Sequence, residues 1–212
     1  MMTDFSIFEG RTQRMLLRPY RPEDYDVFAD LHGREGVARY LPWDTRDAEA
    51  SRAALARHQS MTMENDGDGI SLAGFDLDTD CFVGEFVLFL RSVEHRGGEV
   101  GFVVHPDLQG RGLATEGARA MLQIGFDVLG LHRIVARLDA RNTGSAAVLE
   151  RLGMRREALF LQNEWFKGEW GDEADYALLE MEWAGHSTRS LISSNVVAPA
   201  EASSSAVVSP PA

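Results

Sequence analysis

Val103-Val104-His105-Pro106-Asp107-Leu108-Gln109-Gly110-Arg111-Gly112-Leu113-Ala114-Thr115-Glu116 reads as an apolar strand, a break at Pro106, a glycine-rich loop and the first turn of a helix. Gly110 and Gly112 can take backbone angles that a residue with a Cβ resists, so the loop can turn several N–H groups toward one point. The helix that follows adds its own unpaired N–H groups and the positive end of its dipole. Such a junction is an anion site suited to phosphate, and Arg111 can add a charged hydrogen bond. A dinucleotide site needs G-x-G-x-x-G directly after a strand and an acid about 20 residues on. Counted from Gly110, Thr115 stands where the third glycine belongs, and His105 to Gln109 separates strand from glycines, although Asp139 does follow the next strand. A P-loop needs a lysine that is missing here. The spacing that fits is Q/R-x-x-G-x-G/A, from Gln109 to Ala114. Taken alone, the loop also allows a plain glycine-rich turn capping a helix.

Outward from the loop, the chain divides into strands and helices by apolar period. Glu99 to Val104 leads into the loop as a strand, preceded by strands over Ile70–Asp76 and Cys81–Val93, with turns at Asp78-Thr79-Asp80 and His95-Arg96-Gly97-Gly98. This is an antiparallel meander. After the loop, a helix is expected over Ala114–Leu129. Gly117 and Gly125 inside it cost roughly 1 kcal/mol each relative to alanine, which close approach to a sheet would offset. Arg133–Leu138 is the next strand, so strand, loop, helix and strand form a crossover between parallel neighbours. Asn142 is an N-cap and Gly153 a C′ residue for a helix over 142–152. Met154–Trp165 and Asp172–Trp183 alternate as a last hairpin that turns at Lys167–Gly171. Earlier in the chain, Met15–Pro19 is a strand, and helices are expected over Pro22–His32 and Arg46–Met63.

The 212 residues suffice for one domain with a core, and 44% hydrophobic with 25% charged residues is ordinary for a soluble globular protein. No apolar run approaches a membrane span, and Met1 to Arg14 has no apolar signal-peptide core. The lone Cys81 excludes an intrachain disulfide and is expected as a small buried hydrophobe; with these features a cytoplasmic protein is expected. A net charge of −12 argues against nucleic acid as the main partner and favours approach of a cationic one, such as an amine or a basic peptide, though an acidic balance also serves solubility alone. From Ala184 to Ala212, Ser, Ala, Val and Pro dominate without a period, so a folded domain over 1–183 and a disordered tail over 184–212 are expected.

Gln109–Ala114 resembles the pyrophosphate loop of the GNAT superfamily of acyl-CoA-dependent N-acyltransferases, and the resemblance covers about Thr12 to Trp183. The stretches Thr12–Pro19, Val37–Trp43, Glu99–Val104, Ala114-Thr115-Glu116-Gly117, Asn142-Thr143-Gly144-Ser145 and Leu152-Gly153-Met154 are similar, in this order, to the RimJ/RimL branch of ribosomal-protein-alanine N-acetyltransferases. The resemblance implies a mixed α/β (α+β) GNAT fold: a twisted, mostly antiparallel sheet of about seven strands with one parallel, splayed pair, flanked by about four helices. It implies acetyl-CoA as cosubstrate, no metal, and transfer to a primary amine by direct attack in a ternary complex. The acceptor is a protein N-terminal α-amino group or a small-molecule amine, with homodimer formation open and neither nucleic acid nor membrane as partner. A non-catalytic acyl-CoA-binding module, or a transferase of another acyl group such as succinyl, is the alternative; a nucleotide-dependent oxidoreductase is a third reading.

The same resemblance implies site residues. The strand Glu99–Val104 splays from its neighbour at a bulge, and the pantetheine arm pairs with the backbone of Phe102, Val103 and Val104. The pyrophosphate lies on Gln109, Gly110, Arg111, Gly112, Leu113 and Ala114, with Thr115 and Asn142 also at the cofactor. An ammonium has no lone pair, so a carboxylate acting through water must take a proton before attack; Glu99 and Glu164 are the candidates. Against this, Glu99 can simply bond across its hairpin and Glu164 can be a solvated residue on an outer strand. Many GNAT enzymes carry a tyrosine acid seven residues after the motif asparagine; Leu149 stands there, which leaves Ser145 as the candidate partner of the leaving thiolate. Tyr40, Trp43, Trp165, Phe166 and Trp170 are candidate walls of the acceptor mouth.

Overall fold

The computed structural model describes residues 5–186 and 193–194. Nine strands form one sheet in the order β7-β8-β6-β5-β4-β3-β2-β1-β9. Seven of them have five or more residues: β2 (Met15–Pro19), β3 (Gly69–Asp76), β4 (Phe82–Ser92), β5 (Gly97–Val104), β6 (Arg133–Asp139), β7 (Arg155–Phe166) and β8 (Glu169–Leu179). The other two, β1 (Gly10–Arg11) and β9 (Ser193–Ser194), pair with each other at the edge. Every neighbouring pair whose direction the ladder defines is antiparallel except β5 and β6, which run parallel.

The parallel ladder is short. It pairs Gly97 with Arg133, Gly98 with Ile134 and Glu99 with Val135, and then stops. Beyond Glu99 the β6-facing edge of β5 has no strand partner, so a slot opens in the middle of the sheet. The expected bulge in Glu99–Val104 is not its cause. β4 and β5 pair without a shift from Gly84/Val104 to Leu90/Gly98, and the irregularities lie in β4, at the Leu90/Ser92 step and at the Gly74/Phe75 step opposite β3.

Helices cover both faces. On one side α4 (Leu113–Gln123), continued by a π-helical turn over Ile124–Val128, packs with α5 (Thr143–Arg151) on the largest core cluster, which includes Leu17, Phe86, Leu88, Met121, Leu122, Ile134 and Leu149. Gly117 and Gly125 do what close approach requires. A Cβ on Gly117 would lie 2.1 Å from the Phe86 ring, and one on Gly125 would lie 2.5 Å from Ile134. On the other side α1 (Tyr25–Gly33), α2 (Glu35–Ala38) and α3 (Ala48–Gln59) cover a second cluster built on Tyr20, Phe28, Leu31, Leu55, Ala73, Phe75 and Phe82. The buried, two-bonded ion pair of Arg18 with Asp24 (2.7 and 2.8 Å) fixes the start of α1 to β2.

Several boundaries move from those expected. Residues 35–38 form a helical turn inside the expected loop, and α3 stops at Gln59. The last strand ends at Leu179, because the Glu182 carboxylate accepts the Leu179 N–H (2.8 Å) and starts α6 (Glu180–His186). The fold of that helix is held by Trp183, which stacks on Phe126 and donates to Asp127 (2.8 Å). Lys167 and Gly168, both at positive φ, make the final turn alone, as a two-residue hairpin favours. Cys81 is exposed, not buried, since it lies in the turn ahead of β4. Of the tail expected from residue 184, the helix through His186 and the pair Ser193–Ser194 are described; the remainder lies outside the described residues.

Candidate active site

The slot between β5 and β6 divides two cavities. One, of about 550 Å³, lies on the α4–α5 side. Gln109, Gly110, Gly112, Leu113, Ala114 and Thr115 line it together with Phe102, Val104, Asn142 and Ser145. The other, of about 280 Å³, opens between the loop Tyr40–Trp43, β4, β5, β6 and the β7–β8 hairpin. Phe102 and Ser145 line both cavities. The two cavities therefore adjoin at these two residues.

The anion loop is built as its glycines require. Gly110 and Gly112 have φ of 75° and 79°, and Gly112 is the residue from which α4 starts. A Cβ on Gly110 would meet nothing within 4 Å, so the space above the loop is open. The loop is tied from below. The Gln109 side chain donates to the Val104 carbonyl (3.1 Å), so it braces the loop. Arg111 departs from expectation: it is exposed and absent from the cavity lining, and its carbonyl accepts from the Arg14 guanidinium (2.8 Å). Val103 lines the other cavity, because alternate residues of a strand face opposite sides. A positive helix end, a glycine loop and an unpaired strand edge fit a long ligand with a phosphate at one end and amides along its arm, which is the chemistry of coenzyme A.

Asn142 caps α5, since its Oδ1 accepts the Ser145 N–H (3.0 Å), and it lines the larger cavity. Ser145 is half-buried at the junction, and its hydroxyl has no hydrogen-bond partner among the described residues. Leu149 is buried and lines the second cavity, so an apolar side chain stands where an acid was a family alternative.

The second cavity is acidic. Glu85, Glu99, Asp139, Glu164, Asp172 and Glu173 line it, against the single cation Arg137. The two candidate bases differ. Glu99 is held by Arg91 (2.9 Å) across the hairpin and by Arg137 (3.1 Å). Glu164 is exposed at the mouth, and its carboxylate enters no hydrogen bond among the described residues. A wide bulge delivers it: between the Phe160/Glu173 and Glu164/Gly171 pairs, β7 has three unpaired residues, with Gln162 at φ 51° and its N–H bonded to Asp172 (2.8 Å).

Sequence reasoning missed Glu173 and Asp175. Burial pushes the Glu173 carboxyl above its ordinary value, with the charges of Glu164 and Asp175 adding to the shift. Burial likewise raises Asp175. Their position opposite Asp139 and Arg137 on β6 was the available signal, and it needed the strand register to be known. Tyr40 and Trp43 line the cavity as expected. Trp165 and Trp170 do not; they pack edge to face at 5.3 Å on the exposed outside of the hairpin. The side chain of Phe166 lies outside the described residues. The Lys167 ammonium donates to the Ala38 carbonyl and so closes the hairpin tip onto the loop that begins the cavity wall.

Also unforeseen is a buried polar group behind Trp43. Glu85 accepts from Tyr20 (3.3 Å) and lies against His32 (3.2 Å), with His58 at 4.0 Å. No cluster of three or more metal-ligating side chains occurs among the described residues, nor any helix long and apolar enough to cross a membrane.

A family profile described as an acetyltransferase (GNAT) domain matches residues 14–155. The Bacillus subtilis (strain 168) protein named uncharacterized N-acetyltransferase YnaD is 34% identical over 173 residues, spanning 81% of this chain and 97% of its own. Among solved structures, an acetyltransferase (GNAT family) from Bacillus anthracis is similar with a TM-score of 0.74 and 29% identity, over 82% of this chain and 99% of the other. The spermidine N-acetyltransferase of Vibrio cholerae, solved in complex with CoA and spermine, shares the fold with a TM-score of 0.70 at 17% identity, over 80% and 98% of the two chains.

Proposed function

Because the chain belongs to the GNAT acetyltransferases, acetyl-CoA-dependent enzymes that acylate amino groups, we propose that it acetylates a primary amine of a small cationic acceptor by direct attack in a ternary complex. The observation that carries this reading is the meeting of two cavities at Phe102 and Ser145. Bound acetyl-CoA supplies the thioester and the leaving thiolate. The backbone of Phe102 and Val104, with Gly110, Gly112, Leu113, Ala114, Thr115 and Asn142, would hold it. Gln109 serves by bracing the loop.

The acceptor enters as an ammonium, which the carboxylate-lined cavity attracts. Its nitrogen must lose a proton before it can attack. In our reading a water passes that proton to Glu164, whose carboxylate is free of cationic partners and stands next to Glu173. Ser145, capped into position by Asn142, donates a hydrogen bond to the departing sulfur. Glu99, shared by two guanidinium groups, keeps Arg137 in the cavity wall and is the weaker candidate base.

The RimJ/RimL resemblance supports a second acceptor, the α-amino group of a protein N-terminus, and the solvent-open position of Glu164 is compatible with it. The excess of carboxylates favours the small cation. A panel of cationic amines and N-terminal peptides, assayed for thiol release from acetyl-CoA, tests the reading. Turnover is expected with the amines; binding of acetyl-CoA without thiol release on any acceptor would mean a non-catalytic acyl-CoA-binding module.

A further inference from the structure

Glu85 is 4% exposed and still lines the acceptor cavity. It lies on β4 opposite Val103 of β5, one register step from Phe102, where the two cavities meet. Its Oε2 is engaged by the Tyr20 hydroxyl and by His32 Nε2. Its Oε1 accepts no hydrogen bond among the described residues; His58 Nδ1, at 4.0 Å, is too far to donate one. Burial raises the carboxyl's affinity for protons, but the bond with His32 and the charges of His58, His32 and Arg46 outweigh it and hold the group below its ordinary value. The cavity thus contains a buried carboxylate with unused lone pairs.

A buried carboxylate with an open oxygen is costly unless a donor meets it, and a cationic donor meets it best. Four buried polar atoms around it, His32 Nδ1, Trp43 Nε1, Arg46 Nη1 and His58 Nδ1, have no hydrogen-bond partner among the described residues. Of these four residues only Trp43 lines the cavity with Glu85. Glu164 and Glu173 lie across the slot on β7 and β8, so they and Glu85 face the transfer point from opposite sides. With strands roughly 5 Å apart, Glu85 is about 5–10 Å from that point, the span of a short alkyl chain.

We propose that Glu85 binds a second cationic nitrogen of the acceptor, and so selects acceptors with two positive nitrogens over simple monoamines. This rests on the reading of the cavity as the amine site of an acetyltransferase. The reacting nitrogen lies at the slot, on the side of Glu164, and the second lies between Glu85 and Trp43.

The test compares linear α,ω-diamines of three to six carbons with the matching monoamines, at saturating acetyl-CoA, for the wild type and for Glu85→Gln. Glutamine keeps an oxygen for Tyr20 while removing the charge. The wild type is expected to prefer diamines, and Glu85→Gln to lower kcat/KM for the best diamine about ten- to a hundredfold, the size of one lost charge-assisted hydrogen bond, with monoamine turnover nearly unchanged. Glu85→Asp is expected to recover part of the preference. A wild type that turns over both series equally would overturn the proposal without any variant, even if Glu85→Gln does not fold. An equal loss on both series would overturn it too, since Glu85 would then act on the reacting nitrogen or on the fold. Failure of the wild type to acetylate either series would instead remove the amine-site reading, and this proposal with it.

Discussion

Arg14 grips Glu116 with its Nε (2.8 Å) while its Nη1 donates to the carbonyl of Arg111 (2.8 Å). One side chain from the β1–β2 connection thereby spans the anion loop and the first turn of α4. Glu116 completes the clamp by accepting from the Arg14 N–H (2.7 Å) and the Thr12 hydroxyl (2.6 Å). The loop can present its N–H groups as a preformed cradle because this contact fixes it from outside.

Arg14→Ala is therefore expected to raise KM for acetyl-CoA several-fold while leaving kcat on a good acceptor close to wild type. The ion pair is half exposed on the arginine side, so its share of stability is small. A fall in kcat with KM unchanged would show that the clamp does not act through the loop.

Gly112→Val should abolish the rise in melting temperature that acetyl-CoA gives the wild type. A β-branched residue is strained at φ 79°, and its Cβ would meet the Arg14 guanidinium that clamps the loop, at 3.5 Å. NAD should stabilise the wild type far less than acetyl-CoA; the reverse order would contradict the assignment of the loop.

Glu164→Gln is expected to lower turnover about a hundredfold at neutral pH, the usual size of general-base catalysis, with acetyl-CoA affinity unchanged. The loss should shrink at high pH, where the amine is neutral unaided. The charge of Glu164 helps to raise Glu173, so its removal should move the titration of Glu173 to lower pH, visible by carboxyl NMR. Should Glu99→Gln stop turnover while Glu164→Gln leaves it intact, the base is Glu99.

His58 ties the acceptor side to stability. Burial holds its pKa below the ordinary value, with the charges of His32 and Arg46 acting the same way and Glu85 opposing. The unfolded chain takes up this proton near pH ~6.5, and the folded chain only at lower pH. Between these values the unfolded state binds more protons, so stability rises with pH and falls on acidification. Melting temperature should drop from about pH 7 to about pH 5, and less so for His58→Gln. An identical drop in the variant would place the effect elsewhere.

The fold was largely legible because its decisive element is local. The run from Val103 to Glu116 dictates strand, loop and helix within one stretch, and Gly117 and Gly125 announce the close packing on Phe86 and Ile134. The glycine loop and the α5 cap were legible for the same reason: Gly110, Gly112 and Asn142 act through backbone near them in sequence. The charge of Arg111 suggested an anion contact, whereas the residue is exposed and does not line the larger cavity. The acceptor side was hidden. Glu85 meets His32 and Tyr20 across 53 and 65 positions of chain, and Glu173 faces the cavity only through the register of β6, β8 and the bulged β7. Trp165 and Trp170 had the composition of a cavity wall, but that bulge sets which face they take.

Initial-velocity patterns with acetyl-CoA and a diamine, followed by thiol release, test most directly the claim that two cavities joined at Phe102 and Ser145 hold both reactants at once. Intersecting double-reciprocal lines are predicted, since both must be bound before transfer. Parallel lines, with acetyl recovered on the enzyme when the acceptor is left out, would contradict it.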